Sequence, residues 1–354
     1  MKKKVKIGII GMGAIGAVHA DAFTANSQDA EIAMICDINA ERLKAMGEKY
    51  KVGKLCSDYR EILKSDVDSV IVCVGNALHR TTACAALKAG KNVLLEKPMA
   101  MNSKEAAEIV AAADKSRKIL QIGMVNRQRG DIQLARKYVT DGILGDIYHV
   151  RAVLIRRRGI PGLGGWFTTK AASGGGPLID IGVHWFDAAM FISGLWNPSS
   201  VSAMTYSKFG SPMKNYKYVS MWAGPPKFDG VCDTEDYATG FARFGKNASM
   251  SFEIAWAANA EDESYVEILG TKGGIKVFSS KNPRLLTEFN GNIANVELLI
   301  PEAGNAFHIQ AKKFIEACRG ERPSEVPGKQ GLVNMKLIDA IYESGVKGKE
   351  IAIK

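Results

Sequence analysis

The chain has 354 residues, 46% of them hydrophobic and 24% charged, with a formal net charge of +10. This length and composition exclude a disordered or fibrous chain and a disulfide-stapled miniprotein, and they favour two globular domains over one. The positive charge is spread along the chain, and its one dense run, Arg156-Arg157-Arg158, lacks the interleaved aromatics of a nucleic-acid surface.

Six scattered cysteines without a CxxC pattern suit reduced thiols better than a disulfide frame or a zinc site. The opening MKKKVKIGIIGMG breaks the signal-peptide pattern because its apolar run is short and meets glycines at once. No stretch approaches the roughly 18 apolar residues of a membrane span. The expectation is a cytoplasmic protein with no nucleic-acid or membrane partner.

Residues 5–10 read as a short buried strand leading into GMGAIGAVHADAF, a helix that opens on glycine. A strand at 31–37, a helix near 40–49, a short helix at 59–64 and a strand at 69–75 follow. A helix ended by Gly90 precedes a strand over NVLLEKP, and a helix capped by Ser103 leads to a strand at 119–125. Apolar strands alternating with helices predict right-handed βαβ units around a parallel sheet buried on both faces.

The alternation changes near residue 125. A helix stopped by Gly142 leads to a longer strand at 147–157 and a glycine-rich loop at 159–165. Beyond a helix at 177–193, strands are expected near 201–207, 216–222, 235–244, 248–257, 264–270 and 273–279. Strands without intervening helices favour an antiparallel or mixed sheet. Helices at about 306–319 and 330–346 finish the chain. The expected division is a dinucleotide-binding domain at 1–125 and a second α+β domain at 126–354.

Gly11-Met-Gly13-Ala14-Ile15-Gly16 fits GxGxxG, follows the first strand and opens a helix, and Asp37 ends the next strand 21 residues beyond Gly16. Glycines there let backbone N–H groups reach a pyrophosphate at a helix N-terminus, while the acid binds the ribose diol. A carboxylate repels a 2′-phosphate, so Asp37 favours NAD over NADP, and the nearby Arg42 softens that preference. Lys97, in Glu96-Lys97-Pro98, lies at a strand end of the same sheet, where a lysine can serve in proton transfer. Pro98 fixes the backbone after it and can adopt a cis bond.

In SGGGPLIDIGVHWFD, Pro177 suits a first helical turn, and Asp180 and His184 fall at i and i+4 on one helix face with Asp187 near the same stripe. The triple glycine lets this helix start close to a ligand or another backbone. The plainer reading is a surface pair on a helix. A metal is not expected, because no third ligand stands at a set spacing.

Together, GIIGMGAIGAVHADAF, ALHRTTACAALKAGKNVLLEKPMA and GGGPLIDIGVHWFD resemble the Gfo/Idh/MocA family, the glucose–fructose oxidoreductase and inositol dehydrogenase group. The likeness continues through GDIYHV, YVEILGTKGGIKV and LIDAIYESGVKGKEIAI. It implies a Rossmann domain, a doubly wound parallel sheet, followed by an α+β domain with an open, mostly antiparallel sheet, in a homo-oligomer. It further implies that Lys97, Asp180 and His184 form the catalytic group and that Glu96 lies by the nicotinamide. Asn76 and His79 match the family's segment after the fourth strand, although its usual Thr-Pro pair is Val74-Gly75 here.

The remaining candidates are placed by position. Asn126 and Arg127 follow a strand of the first sheet and are expected to line the cleft. The arginine run lies on the strand predicted at 147–157, so alternation points Arg157 away from its neighbours and towards substrate or partner. Trp166, Phe167 and Trp185 flank the expected site and could stack on a sugar face or an aglycone, or be plain core. His308, near the start of a late helix, could return to the site.

In an oxidation a base takes the hydroxyl proton, and His184 and Lys97 both qualify. The reading is an NAD-dependent oxidoreductase for a secondary hydroxyl of a sugar, glycoside or cyclic polyol. The RRRGIPG loop, which resembles branches acting on pyranosides, points to C3. Two alternatives stay open: an NAD-dependent glycosidase working by oxidation and elimination, and a non-catalytic dinucleotide-sensing regulator.

Overall fold

The structure, a computed structural model, describes residues 3–219, 221–300 and 304–354. In chain order its first elements are β1 (Val5–Ile10), α1 (Ala14–Ala25), β2 (Ala30–Cys36), α2 (Ala40–Tyr50), β3 (Leu55–Cys56) and α3 (Tyr59–Lys64). They continue with β4 (Ser69–Val72), α4 (His79–Lys88), β5 (Asn92–Leu95), α5 (Ser103–Ser116) and β6 (Leu120–Ile122). Next come α6 (Gly130–Thr140), β7 (Ile147–Ile155), the short α7 (Lys170–Ser173), α8 (Val183–Ser193) and β8 (Pro198–Tyr206). Six strands follow without a helix between them: β9 (Tyr237–Phe244), β10 (Ala248–Ala255), β11 (Glu263–Gly270), β12 (Gly273–Phe278), β13 (Arg284–Phe289) and β14 (Asn292–Glu297). The chain closes with α9 (Ala306–Cys318), α10 (Gly328–Lys347) and β15 (Ile351–Ala352). Among the described residues no helix is long and apolar enough to cross a membrane.

Two compact units divide the chain: residues 1–128 with 304–332, and residues 129–303 with 333–354. The first is built on a six-stranded parallel sheet of order β3-β2-β1-β4-β5-β6. Strand order reverses between β1 and β4, which opens a crevice at the C-terminal strand ends. Ile7 and Ile9 of β1, Phe23 of α1, Ile71 of β4 and Leu94 of β5 share one buried cluster with Phe314 and Ile315 of α9. The α9 helix is fastened here by Asn26 Nδ2 donating to His308 O at 3.1 Å and Arg319 donating to Asp29 Oδ1 at 2.7 Å.

The second unit holds a nine-stranded sheet of order β14-β13-β12-β11-β7-β10-β9-β8-β15. Only β7 and β10 run parallel; every other pair is antiparallel. Along β10, Met250, Phe252 and Ile254 are buried while Ser249, Ser251 and Glu253 alternate to the other face, the period-two signature of a strand. Helix α8 packs on β7 and β11, and its Phe186 meets Phe252 edge-on at 5.3 Å.

The sequence reading needs correction in several places. Segment 216–222 forms no strand among its described residues and belongs to the long connection between β8 and β9; Ser220 lies outside the described residues. Strand β7 stops at Ile155, so Arg156–Arg158 lie past its end, Arg157 on a bend, and strand alternation does not orient them. The cap of α5 is Asn102, whose side chain accepts from Glu105 N at 2.9 Å; Ser103 is the first helical residue. The β13–β14 hairpin and β15 are not among the expected elements.

The helix expected over 177–193 begins instead as a π-turn, Leu178–Gly182, before α8 takes over at Val183. The glycines before it are required by what lies against them. A Cβ at Gly175 would collide with the hydroxyl of Tyr342, and one at Gly176 with the backbone carbonyl of Glu235. Buried Glu235 accepts from Gly176 N at 2.9 Å, Leu178 N at 3.2 Å and Tyr342 Oη at 2.8 Å. One carboxylate thus satisfies the first N–H groups of this segment, which no preceding turn could serve. Gly176→Ala, meeting rigid backbone, should destabilise by more than the roughly 1–3 kcal/mol of ordinary overpacking. Gly175→Ala should cost less, and adding Tyr342→Phe should recover part of that loss but none of the Gly176→Ala loss, as read from thermal unfolding of the four variants.

Candidate active site

In the first unit the loop between β1 and α1 is shaped for a dinucleotide. Gly11 has φ 91° and its N–H donates to Cys36 O at 2.8 Å, closing the turn onto the end of β2. A Cβ on Gly16 would strike the carbonyl of Gly11, so helix and loop are in direct contact there, while a Cβ on Gly13 would meet nothing within 4 Å. Gly13 is the N-cap of α1 and brings no side chain to its first N–H groups. Exposed Ala14 and half-buried Ile15 form the first helical turn, with Ile15 packed on the core. Open space in front of uncapped N–H groups suits a pyrophosphate.

Asp37, at the end of β2, is buried and fixed on both oxygens. Oδ2 accepts from Met12 N at 2.7 Å and Oδ1 from Asn39 N at 2.8 Å, so the carboxylate itself holds the glycine loop. Arg42 approaches it at 3.3 Å from a partly exposed position. The residues present therefore fit a dinucleotide with a free ribose diol.

The ends of β4 and β5 lie on the same edge of this parallel sheet. Asn76 is buried in a 3-10 turn after β4. His79 turns both ring nitrogens to backbone carbonyls, Nδ1 to Pro98 O at 2.7 Å and Nε2 to Val74 O at 3.0 Å. Burial lowers its pKa against the pull of those two carbonyls. The ring thereby pins the turn that carries Lys97, whose peptide bond to Pro98 is cis.

The carboxylate of Glu96 accepts from Lys97 N at 3.0 Å through Oε2 and meets His19 Nε2 at 2.7 Å through Oε1. Burial would raise the pKa of Glu96, but the hydrogen bond and charge of His19, with Lys97 beside it, outweigh burial and hold it below the usual carboxylate range. Gly123 leaves room for this carboxylate, since a Cβ there would crowd Oε1 at 2.8 Å. His19 escaped the sequence reading. Its signal was a lone imidazole among small and apolar residues in AIGAVHADAF, one turn past the last glycine of the motif.

Asn126 lies half-buried in a 3-10 turn after β6. Arg127 does not line a cleft: it is buried, donating to Glu325 O at 3.0 Å and Gln330 Oε1 at 2.7 Å. His308 stands in the first turn of α9, within the first unit.

In the second unit Asp180 sits inside the π-turn and His184 in the first turn of α8. The two residues therefore do not lie on one regular α-helix, as an i, i+4 pair requires. Here Val183 N instead donates to Leu178 O, five residues back, and π-turns of this kind recur at functional sites. Buried Trp256 donates from Nε1 to Asp180 Oδ2 at 3.2 Å, fixing the carboxylate. Trp185 spends its indole N–H on Tyr265 O at 3.1 Å, and Asp187 is buried on α8. Trp166 stands exposed on a 3-10 turn, its ring against that of Phe167 at a tilt. Arg157 has an exposed side chain, while Arg158 is tied to Ala258 O at 2.7 Å and lies over the ring of Phe209 at 4.3 Å.

Known proteins agree with this architecture. Residues 5–124 match the NAD-binding Rossmann-fold model of the GFO_IDH_MocA oxidoreductase family, and residues 132–276 match the GFO/IDH/MocA C-terminal domain. The chain is 31% identical to the D-glucoside 3-dehydrogenase of Escherichia coli (strain K12), over 99% of this chain and 97% of that protein. The crystal structure of an oxidoreductase domain protein from Kribbella flavida superposes with a TM-score of 0.88 at 26% identity, covering 100% of both chains. Levoglucosan dehydrogenase in complex with NADH shares the fold, with a TM-score of 0.87 at 22% identity over 99% of this chain and 100% of that one. Cradle, fold and full-length similarity agree, and the chain belongs to the Gfo/Idh/MocA family of NAD-binding oxidoreductases.

Proposed function

We propose that this protein oxidises a secondary hydroxyl of a ring-form sugar or glycoside with NAD as acceptor, at C3 by analogy with the glucoside dehydrogenase it resembles. The observation that carries the reading is the fixing of the Glu96-Lys97-Pro98 turn: His19 and the Lys97 N–H hold Glu96, and His79 holds Pro98 O. A lysine held this firmly at the strand ends beside the glycine loop is suited to act on substrate. Gly11, Gly13, Ala14, Ile15, Gly16, Asp37, Asn76, Glu96 and Lys97 would hold the dinucleotide, with Arg42, His79 and Asn126 supporting them. Bound NAD supplies the two-electron acceptor at its nicotinamide ring.

The chain's own residues must then handle one proton. We assign His184 as the base, since an imidazole changes charge near neutrality, and Lys97 to binding and polarising the substrate oxygen. Asp180, its carboxylate oriented by Trp256, holds the imidazole or a neighbouring sugar hydroxyl. Asn126, Arg157 and His308 are assigned to the sugar as secondary contacts, and Trp166 to the substrate as a stacking face for its ring or its aglycone. The same reading takes the protein as a cytoplasmic homo-oligomer, which sedimentation velocity of the purified chain tests.

Reduced-nicotinamide absorbance and free sugar, measured together with glucosides and inositols, test the assignment. NADH formation without sugar release is expected; sugar release without net NADH would make the protein an eliminating glycosidase instead. His184→Ala and Lys97→Ala should each lower kcat by about 10²–10⁴-fold, the usual worth of a positioned acid or base, and keep NAD binding. Full activity surviving loss of both side chains would remove them from the mechanism.

The lock on the lysine turn also predicts an acid response. His79 has a folded pKa below its ordinary 6.5, so the unfolded chain takes up that proton first and stability falls as pH drops below that value. Glu96, held below its ordinary 4.5, contributes stability that is present above that value and lost as pH falls through its folded pKa. Thermal midpoints against pH should therefore decline in two stages. His79→Gln should flatten the upper stage and Glu96→Gln the lower; a wild-type midpoint that is level across both ranges would contradict the lock.

A further inference from the structure

The connection between β8 and β9, residues 207–236, far exceeds the few residues that antiparallel neighbours need. It runs alongside the chain from Leu163 to Leu178, and hydrogen bonds join the two runs like rungs. Lys227 N donates to Leu163 O at 2.8 Å, Thr168 Oγ1 to Val231 O at 2.7 Å, Asp233 N to Thr168 O at 3.1 Å and Lys170 N to Asp233 Oδ1 at 2.6 Å. The next rungs are those from Gly176 and Leu178 to Glu235. Asp236 O then accepts from Trp256 N at 2.9 Å, and the indole of the same tryptophan reaches Asp180. One hydrogen-bonded frame thus joins this loop pair to the reacting segment.

An aromatic wall stands on that frame. Trp166 lies on Phe167 with ring centroids 3.9 Å apart and planes tilted by 31°, and Phe167 meets Trp222 edge-on at 5.1 Å. Trp166 is 48% exposed and Trp222 64%, whereas Trp256 is 1% exposed. Two indoles braced through a shared ring yet open to solvent offer a flat ligand both a face and an edge. Because the rings already support one another, little side-chain freedom is lost when that ligand arrives.

We propose that Trp166, Phe167 and Trp222 form an aglycone subsite, and that the preferred substrate is a glycoside carrying a flat aromatic aglycone rather than a free sugar or cyclic polyol. This rests on the sugar-oxidising reading and names its substrate class. The ring to be oxidised belongs with Asp180 and His184, and the aromatic group with the wall.

The test compares kcat/KM for phenyl and methyl glucosides in the wild type, Trp222→Ala and Trp222→Tyr. In parallel, phenyl 1-thioglucoside is titrated against tryptophan fluorescence. The wild type should prefer the phenyl glucoside by about tenfold, the worth of one ring stack with its buried area. Trp222→Ala should bring the ratio near one and abolish saturable quenching, while Trp222→Tyr keeps both. A wild-type ratio near one, or a ratio that Trp222→Ala leaves unchanged, overturns the subsite. An unchanged ratio together with dissociation of an oligomer in Trp222→Ala overturns it too and assigns the wall to contact between copies. If neither glucoside is oxidised while Trp222-dependent quenching persists, the subsite stands and the oxidation reading falls; absence of quenching as well overturns the subsite.

Discussion

Buried carboxylates that accept backbone N–H groups hold the glycine loop, the lysine turn and the start of the Asp180 segment. Asp37 takes the amides of Met12 and Asn39, Glu96 that of Lys97, and Glu235 those of Gly176 and Leu178. Asp236 takes Phe209 N at 2.6 Å and Gly210 N at 2.9 Å. Loop tips and helix starts leave N–H groups without partners, and a charged acceptor binds them more strongly than a carbonyl does. The same bond that satisfies the backbone also fixes the loop, so the sites are arranged before any ligand arrives.

The partners of each carboxylate decide its charge. Glu96 has an imidazole against one oxygen and a lysine amide against the other, and it is held in its ionised form. Glu235 has backbone amides and a phenol but, among the described residues, no cation against it, and burial pushes its pKa up in spite of them. The signs of their linkage to folding are opposite. A raised folded pKa means the folded chain keeps its proton longer than the unfolded chain, so the Glu235 contribution weakens as pH rises above 4.5, where that of Glu96 is fully present. Tyr342, packed against Glu235, is likewise driven well above the ordinary phenol range by burial and by that neighbour's charge.

The parallel sheet was legible because a strand buried on both faces writes itself as a continuous apolar run, as in VKIGII and SVIV. The glycine cradle and the Glu96-Lys97-Pro98 turn were legible for a related reason, since backbone geometry there restricts residue type. The β13–β14 hairpin was not: Glu288, Phe289 and most of Asn292–Glu297 are exposed, so no buried face imposes alternation. Segment 216–222 misled for the opposite reason. Its aromatic and apolar residues resemble a strand, but Tyr218, Val219 and Trp222 are exposed on a long loop. The π-turn and the His19–Glu96 pair depend on contacts between distant segments, which local periodicity cannot carry.

Residues 304–332 return to the first unit, and Phe314 and Ile315 of α9 belong to the same buried cluster as Ile7, Phe23 and Leu94. During synthesis the dinucleotide-binding unit therefore cannot close its interior until the ribosome has passed α9. A fragment ending soon after β6 would leave that cluster open to solvent. The unit whose strands are made first along this sequence thus closes its core only after most of the second unit's sheet has been made.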